Sequence, residues 1–406
     1  MTRVRGRLAL VLLGVLAAAF LLRYLIWLRM SGPVTAVDSA TYLMFARAIA
    51  RGDFGEFARL PFYLLYPLTL APMYALSLPE AAYIQWLHLL ASTATVWCLY
   101  RIGARVVSEP AGLLVAAAAA VYPFFLFWLP YVLTETLFLL CLAAYVDVYL
   151  RFLDEPRATT GALYLFICAA FVLSRPSAVV CVAFSWIVLA AAIATRRWGA
   201  TRGIASVAIV ALLAVGAAAV AVAASPALRS RILSIPTIGQ TLWASTKYST
   251  GNLEELRRFE ALDQEMHRRF VGPERERNEY AFKVREAAQF IVQHPSEYLR
   301  IVARKMIAYW FPWAFADTWS LSHRLLDAAV SIGLSIGVLL SLKWRAIAPW
   351  PLVALTMMAA SFGLLSAFGQ IDPDARYRLP AELIALILAV AGLAARSGHP
   401  ITARSQ

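Results

Sequence analysis

Apolar residues run along this chain in stretches far longer than the core of a soluble domain uses. Mainly apolar segments of the kind that crosses a bilayer, about 17–25 residues, fall roughly at 8–28, 81–100, 111–128, 131–150, 160–173, 178–194, 203–224, 325–342, 346–368 and 379–395. Alternation of the strand type is absent, as are internal repeats, so the pattern predicts an all-α polytopic membrane protein with about ten spans. Polar positions cluster between these runs in three larger places: 29–80, 225–324 and the short turn at 370–378.

The longer polar segments carry helical periodicity of their own. In the first, Asp38 precedes Tyr42, Phe45 and Ile49 at helical spacing and Gly52 supplies a stop, so Asp38 is expected to cap a helix lying on the membrane by accepting from the amides of Ser39–Thr41. In the second, Asn252 and the following acidic pair open a helix over 256–270. Gly272 and Pro273 break it, a second helix covers 274–293, and Pro295 separates that from a third over 297–310. The third holds Arg300, Arg304 and Lys305, and counting it as a span would invert every later loop, so it reads as interfacial.

Charge then fixes the orientation. Of the 406 residues 61% are hydrophobic and 15% charged, against about 45–50% and 25% in soluble domains. The net charge of +13 would raise nucleic-acid binding in a soluble protein. Here the basic residues flank the apolar runs, and no nucleic acid is expected as a partner. With the N-terminus in the cytoplasm, Arg3/Arg5/Arg7, Arg101/Arg105, Arg151/Arg157, Arg196/Arg197/Arg202, Lys343/Arg345 and Arg396/Arg404 all lie inside, as the positive-inside rule requires. Both termini are then cytoplasmic and the three polar segments face outward. The N-terminal run resembles a signal peptide, but it continues past Arg23 without a small-residue cleavage site and is expected to stay as the first span. Cys98, Cys141, Cys168 and Cys181 sit inside apolar stretches without metal or redox spacing, as small buried hydrophobes.

Chemistry is sought on the outer side. Asp38 is a helix cap, a general base for an acceptor hydroxyl, or both. Glu135, about one turn inside the span at 131–150, is a costly intramembrane carboxylate of the kind that faces a partner or a wet cavity, whereas Asp147 pairs with Arg151 at i+4. Arg175 ends its span either as an anchor to lipid phosphate or as an anion site. Arg376 and Arg378 flank Tyr377 and are placed to clamp a phosphate. Asp372 and Asp374 make a divalent cation conceivable, although exposed carboxylate pairs usually hold none. Lys305 and Tyr298 share a helical face. His88 and His294 lack a second ligand at metal spacing and read as structural.

In their order along the chain these pieces resemble the GT-C superfamily of integral-membrane glycosyltransferases, and in particular its bacterial branch with the protein O-mannosyltransferases and the lipid A aminoarabinose transferases. The likeness rests on Asp38-Ser-Ala-Thr-Tyr42, Leu60-Pro61 through Tyr66-Pro67, Thr134-Glu135-Thr136-Leu-Phe138, Ser174-Arg175-Pro176, His294-Pro295 through Tyr298 to Lys305, and Arg376-Tyr377-Arg378-Leu-Pro380. It implies one GT-C-like domain over 1–406, with about ten transmembrane helices and extracytoplasmic interfacial helices within 29–80 and 225–324. It further implies transfer of a single sugar from a polyprenyl-phosphate donor to an extracytoplasmic glycan or lipid acceptor at the bacterial inner membrane. Asp38 takes the role of base with Glu135 as second catalytic carboxylate, and Arg376, Arg378, Tyr377, Lys305, Tyr298, Arg175, Tyr42 and Tyr66 contact substrate. Asp38 is followed by Ser39, where relatives carry an adjacent acidic pair, and no large soluble C-terminal domain is expected. Alternatives from the residues alone are an oligosaccharide ligase or polymerase with a diphosphate-linked donor, and a lipid or sugar transporter, which would need a polar midplane site that the span centres lack.

Overall fold

The computed structural model describes residues 2–30, 32–53, 64–198, 236–247, 253–271, 275–314, 320–344, 346–369 and 375–396. Among them there is no strand, only an isolated bridge between Val34 and Tyr131. Among the described residues, six helices are long and apolar enough to cross a membrane. The chain is therefore an all-α membrane protein. It packs as two compact units, one from Met1–Trp186, Leu334–Ala359 and Leu379–Gln406, the other from Ile187–Gly333 and Ala360–Arg378.

The first unit opens with α1 (Thr2–Leu28), α2 (Val37–Ala50), α3 (Leu65–Ala75) and α4 (Glu80–Val106). α2 starts a residue before Asp38, which therefore lies in its first turn and not ahead of it. Ser39 does the capping: its hydroxyl accepts from the Ala36 N–H at 2.8 Å and donates to the Val132 carbonyl at 2.8 Å. The run expected to cross at 111–128 is two pieces, α5 (Glu109–Ala120) and α6 (Pro123–Phe127). Pro123 cannot donate and pushes Tyr122 out of the helical region, to a ψ of 118°. The carbonyls left over at the end of α5 are met by Arg23, fully buried in α1, which donates to Ala120 O at 2.9 Å and Ala119 O at 3.4 Å and to Ser92 Oγ at 2.6 Å.

The next helix, α7 (Glu135–Asp154), starts later than the expected 131 because the backbone at 130–132 is engaged with the approach to α2. Val34 N–H donates to Pro130 O and Val132 N–H to Val34 O, each at 2.9 Å. Glu135 thus heads α7 instead of lying a turn inside it. α8 (Ala158–Ser174) and α9 (Ser177–Trp198) follow. At the C-terminal ends of α4 and α7, Asp147 pairs with Arg101 at 3.4 Å and Arg151 at 2.9 Å, so these two helices finish at the same end of the unit.

The second unit contains α10 (Pro236–Lys247), α11 (Leu253–Arg269), α12 (Arg275–Gln293) and α13 (Pro295–Trp310). The last three reproduce the predicted helices to within three residues at each end, and α13 is not among the span candidates. α10 is unpredicted. Trp243 and Ala244 bury it against Phe259, Met266 and Ala287. The chain then runs through α14 (Leu321–Trp344), α15 (Pro349–Gly369) and α16 (Ala375–Arg396). α14 and α16 touch backbone to backbone: a Cβ on Gly337 would meet Ala389 Cα at 2.6 Å, and one on Gly392 would meet Ser341 N at 2.5 Å, the close approach that small residues allow inside a membrane. The expected span at 203–224 lies outside the described residues.

Candidate functional site

In the first unit, Tyr42 follows Asp38 by one turn of α2. Asp38 is exposed and Tyr42 buried. The Tyr42 ring meets Tyr66 of α3 edge-on at 5.5 Å. Tyr66 is fully buried, with its hydroxyl 2.9 Å from Nε2 of His88. Its phenol is held well above the usual range, first by burial and then by the nearby Glu135 and Tyr42. Glu135, 3% exposed, places Oε1 3.3 Å from Arg175 at the end of α8, whose guanidinium lies 5.4 Å from the centre of the Phe138 ring. The second carboxylate oxygen, Oε2, is buried without a hydrogen-bond partner among the described residues.

Residues far apart in sequence, Tyr42, Tyr66, Glu135 and Arg175, thus share one neighbourhood beside the helix that carries Asp38. His88, read from the sequence as structural, joins them through the Tyr66 hydroxyl.

In the second unit, Tyr298 and Lys305 lie two turns apart on α13 and both reach Ser245 of α10. Lys305 Nζ donates to its carbonyl at 3.3 Å, and the Tyr298 hydroxyl is 3.4 Å from its Oγ. Burial pulls the Lys305 ammonium down to about 8, with the Glu255 charge opposing. One turn on, the Tyr309 hydroxyl donates to Tyr377 O at 3.4 Å. Arg376 stacks over the Tyr377 ring at 4.8 Å and donates to its hydroxyl at 2.9 Å.

Arg378 differs from its expected role. α16 begins at Ala375, so 376 and 378 belong to a helix and not a turn, and side chains two apart do not face each other. Arg378 is 1% exposed and bound to the Asp327 carboxylate, Ser331 Oγ at 3.0 Å and Trp310 O at 3.1 Å. The two arginines do not form a clamp, because Arg378 neutralises a buried aspartate. Asp372 and Asp374 lie outside the described residues. Among the described residues, Asp263, His267 and Glu279 form a trio of metal-ligand type. The Lys283 ammonium, however, sits on Asp263 at 2.7 Å and Glu279 at 2.6 Å, a cation already in place. Burial alone would raise the Asp263 carboxyl, but hydrogen bonds from Lys283 and Gln240 bring it below its ordinary value.

No protein-family model matches the chain, and no curated protein matches it.

Proposed function

We propose that this chain is a membrane-bound glycosyltransferase that moves one sugar from a polyprenyl-phosphate carrier to a hydroxyl of an envelope glycan or lipid outside the cytoplasm. The reading takes the bundle as ten crossings of the bacterial inner membrane, adding 81–100, 111–128, 160–173 and 203–224 to the six helices long enough by themselves. One observation carries it: Tyr42, Tyr66, Glu135 and Arg175, separated widely in sequence, meet next to the Asp38 helix. An outward site has no access to cytoplasmic nucleotide sugars, so its activated donor arrives through the membrane.

In the reaction, Asp38 accepts the proton of the acceptor hydroxyl while that oxygen bonds to the anomeric carbon. The bond from that carbon to the phosphate oxygen breaks, and polyprenyl phosphate leaves with the electron pair. Arg175, in the same unit as Asp38, is the cation assigned to the departing phosphate, a contribution typically of about 3–4 kcal/mol for one well-placed donor. Asp38→Asn is isosteric and sits on an exposed turn, so it should abolish transfer while leaving folding intact. Purified variant assayed with lipid-linked donor is the test, and full activity would exclude Asp38 as base.

A further inference from the structure

Three basic residues mark α13 as interfacial, and the fold sorts them onto different faces. Lys305 turns inward with Tyr298, Val302, Ala308 and Tyr309, all buried, and Tyr298 and Val302 pack there with Ala367. The opposite side carries Leu299, Ala303 and Ile307, each one turn from the next, with Arg300 and Arg304 along one edge. All five are exposed, Leu299 at 63% and Ile307 at 52%. Neither arginine has an ion-pair or ring partner among the described residues. Glu297, the one acidic residue of the helix, stands in its first turn, where the backbone amides suit it.

A helix buried on one side and apolar on the other needs a second cover. Its 16 residues reach about 24 Å, short of a hydrocarbon core of about 30 Å, so α13 does not cross the bilayer. Water would leave Leu299 and Ile307 hydrated at a cost. A second copy in an isologous contact would bring two more arginines and only another Glu297 against them. An anionic lipid surface meets both needs, with an apolar boundary for the stripe and negative charge for its edge. We propose that this face of α13 seats on the bilayer and selects anionic lipid: Leu299, Ala303 and Ile307 enter the headgroup–acyl boundary while Arg300 and Arg304 bind headgroup phosphates. A zwitterionic headgroup offsets its phosphate with its own ammonium, so the anionic lipid is preferred. With Lys305 donating to Ser245 O at 3.3 Å on the other side, α13 is held between lipid and α10. Sugar transfer plays no part in this contact.

The test uses the full chain in lipid nanodiscs. All four native cysteines are buried, so a bimane label goes to the thiol of Leu299→Cys or of Ile307→Cys. The discs are phosphatidylcholine with a minor fraction of lipid brominated in its acyl chains, either phosphatidylglycerol or phosphatidylcholine at equal mole fraction. Brominated lipid should quench both labels and aqueous iodide neither. Quenching by the glycerol lipid should exceed that by the choline lipid about threefold, the scale of basic residues at an anionic surface. In Arg300→Gln combined with Arg304→Gln the ratio should fall to about 1.5 or less. Both side chains are exposed, so the fold is kept.

Strong quenching by iodide with none by lipid would put the face in water. Disulfide-linked pairs of unlabelled Leu299→Cys chains, with the labels shielded from both quenchers, would put a second copy on it. A glycerol-to-choline ratio near one with both arginines present, or an elevated ratio that survives their replacement, would remove them from lipid recognition. Each of these outcomes overturns the inference.

Discussion

Lys305 ties the stability of the fold to pH. Its folded-state value of about 8 lies below its ordinary 10.5 because burial disfavours the ammonium. Between those values the unfolded chain holds more protons than the folded one, so stability rises with pH across that window. The burial penalty is in full force below about 8 and gone above 10.5. The rise in thermal midpoint from pH 8 to 10 should vanish in Lys305→Met. Melting curves over that range check it. Nothing in the sequence displays this value, because it comes from the packing of α10 over α13. The placing of Lys305 and Tyr298 on one face, by contrast, followed from their spacing of two turns.

At the scale of elements, paired charges and small residues hold helices that lack a water-driven reason to associate. Glu135 and Arg175 join α7 to α8, and Asp327 and Arg378 join α14 to the start of α16. Removing one member of a buried pair strands the other, at a cost of about 3–5 kcal/mol, whereas replacing both is often close to neutral. Arg378→Leu should therefore lower the thermal midpoint strongly, and Asp327→Leu added to it should recover most of the loss. A double variant no more stable than the single one would refute the pairing as the reason for the loss. Breakers made α11 to α13 legible: Pro273 and Pro295 forbid continuation whatever the packing. α10 was not legible, since Thr, Gly and Ser give it weak propensity and only the burial of Trp243 against its neighbours holds it.

For the whole molecule, the proposed topology predicts where reporters work. Alkaline phosphatase, active only outside the cytoplasm, should function when fused after residue 260 and fail when fused after residue 155 or 345. Activity at 155 would reverse the orientation and remove Asp38 from the outer face. Apolar length and flanking arginines decide such things locally, because each run meets lipid or water on its own terms. That is why the sequence by itself determined an all-α membrane protein, the helices between residues 253 and 310 and which side chains to watch. Tertiary structure alone decided that Arg23 meets the end of α5, that Ser39 reaches Val132, that Arg378 serves Asp327 and that His88 holds Tyr66. Each of these depends on a hydrogen bond or ion pair between residues more than twenty positions apart. No local pattern of apolar and polar positions encodes a partner that the chain meets only when folded.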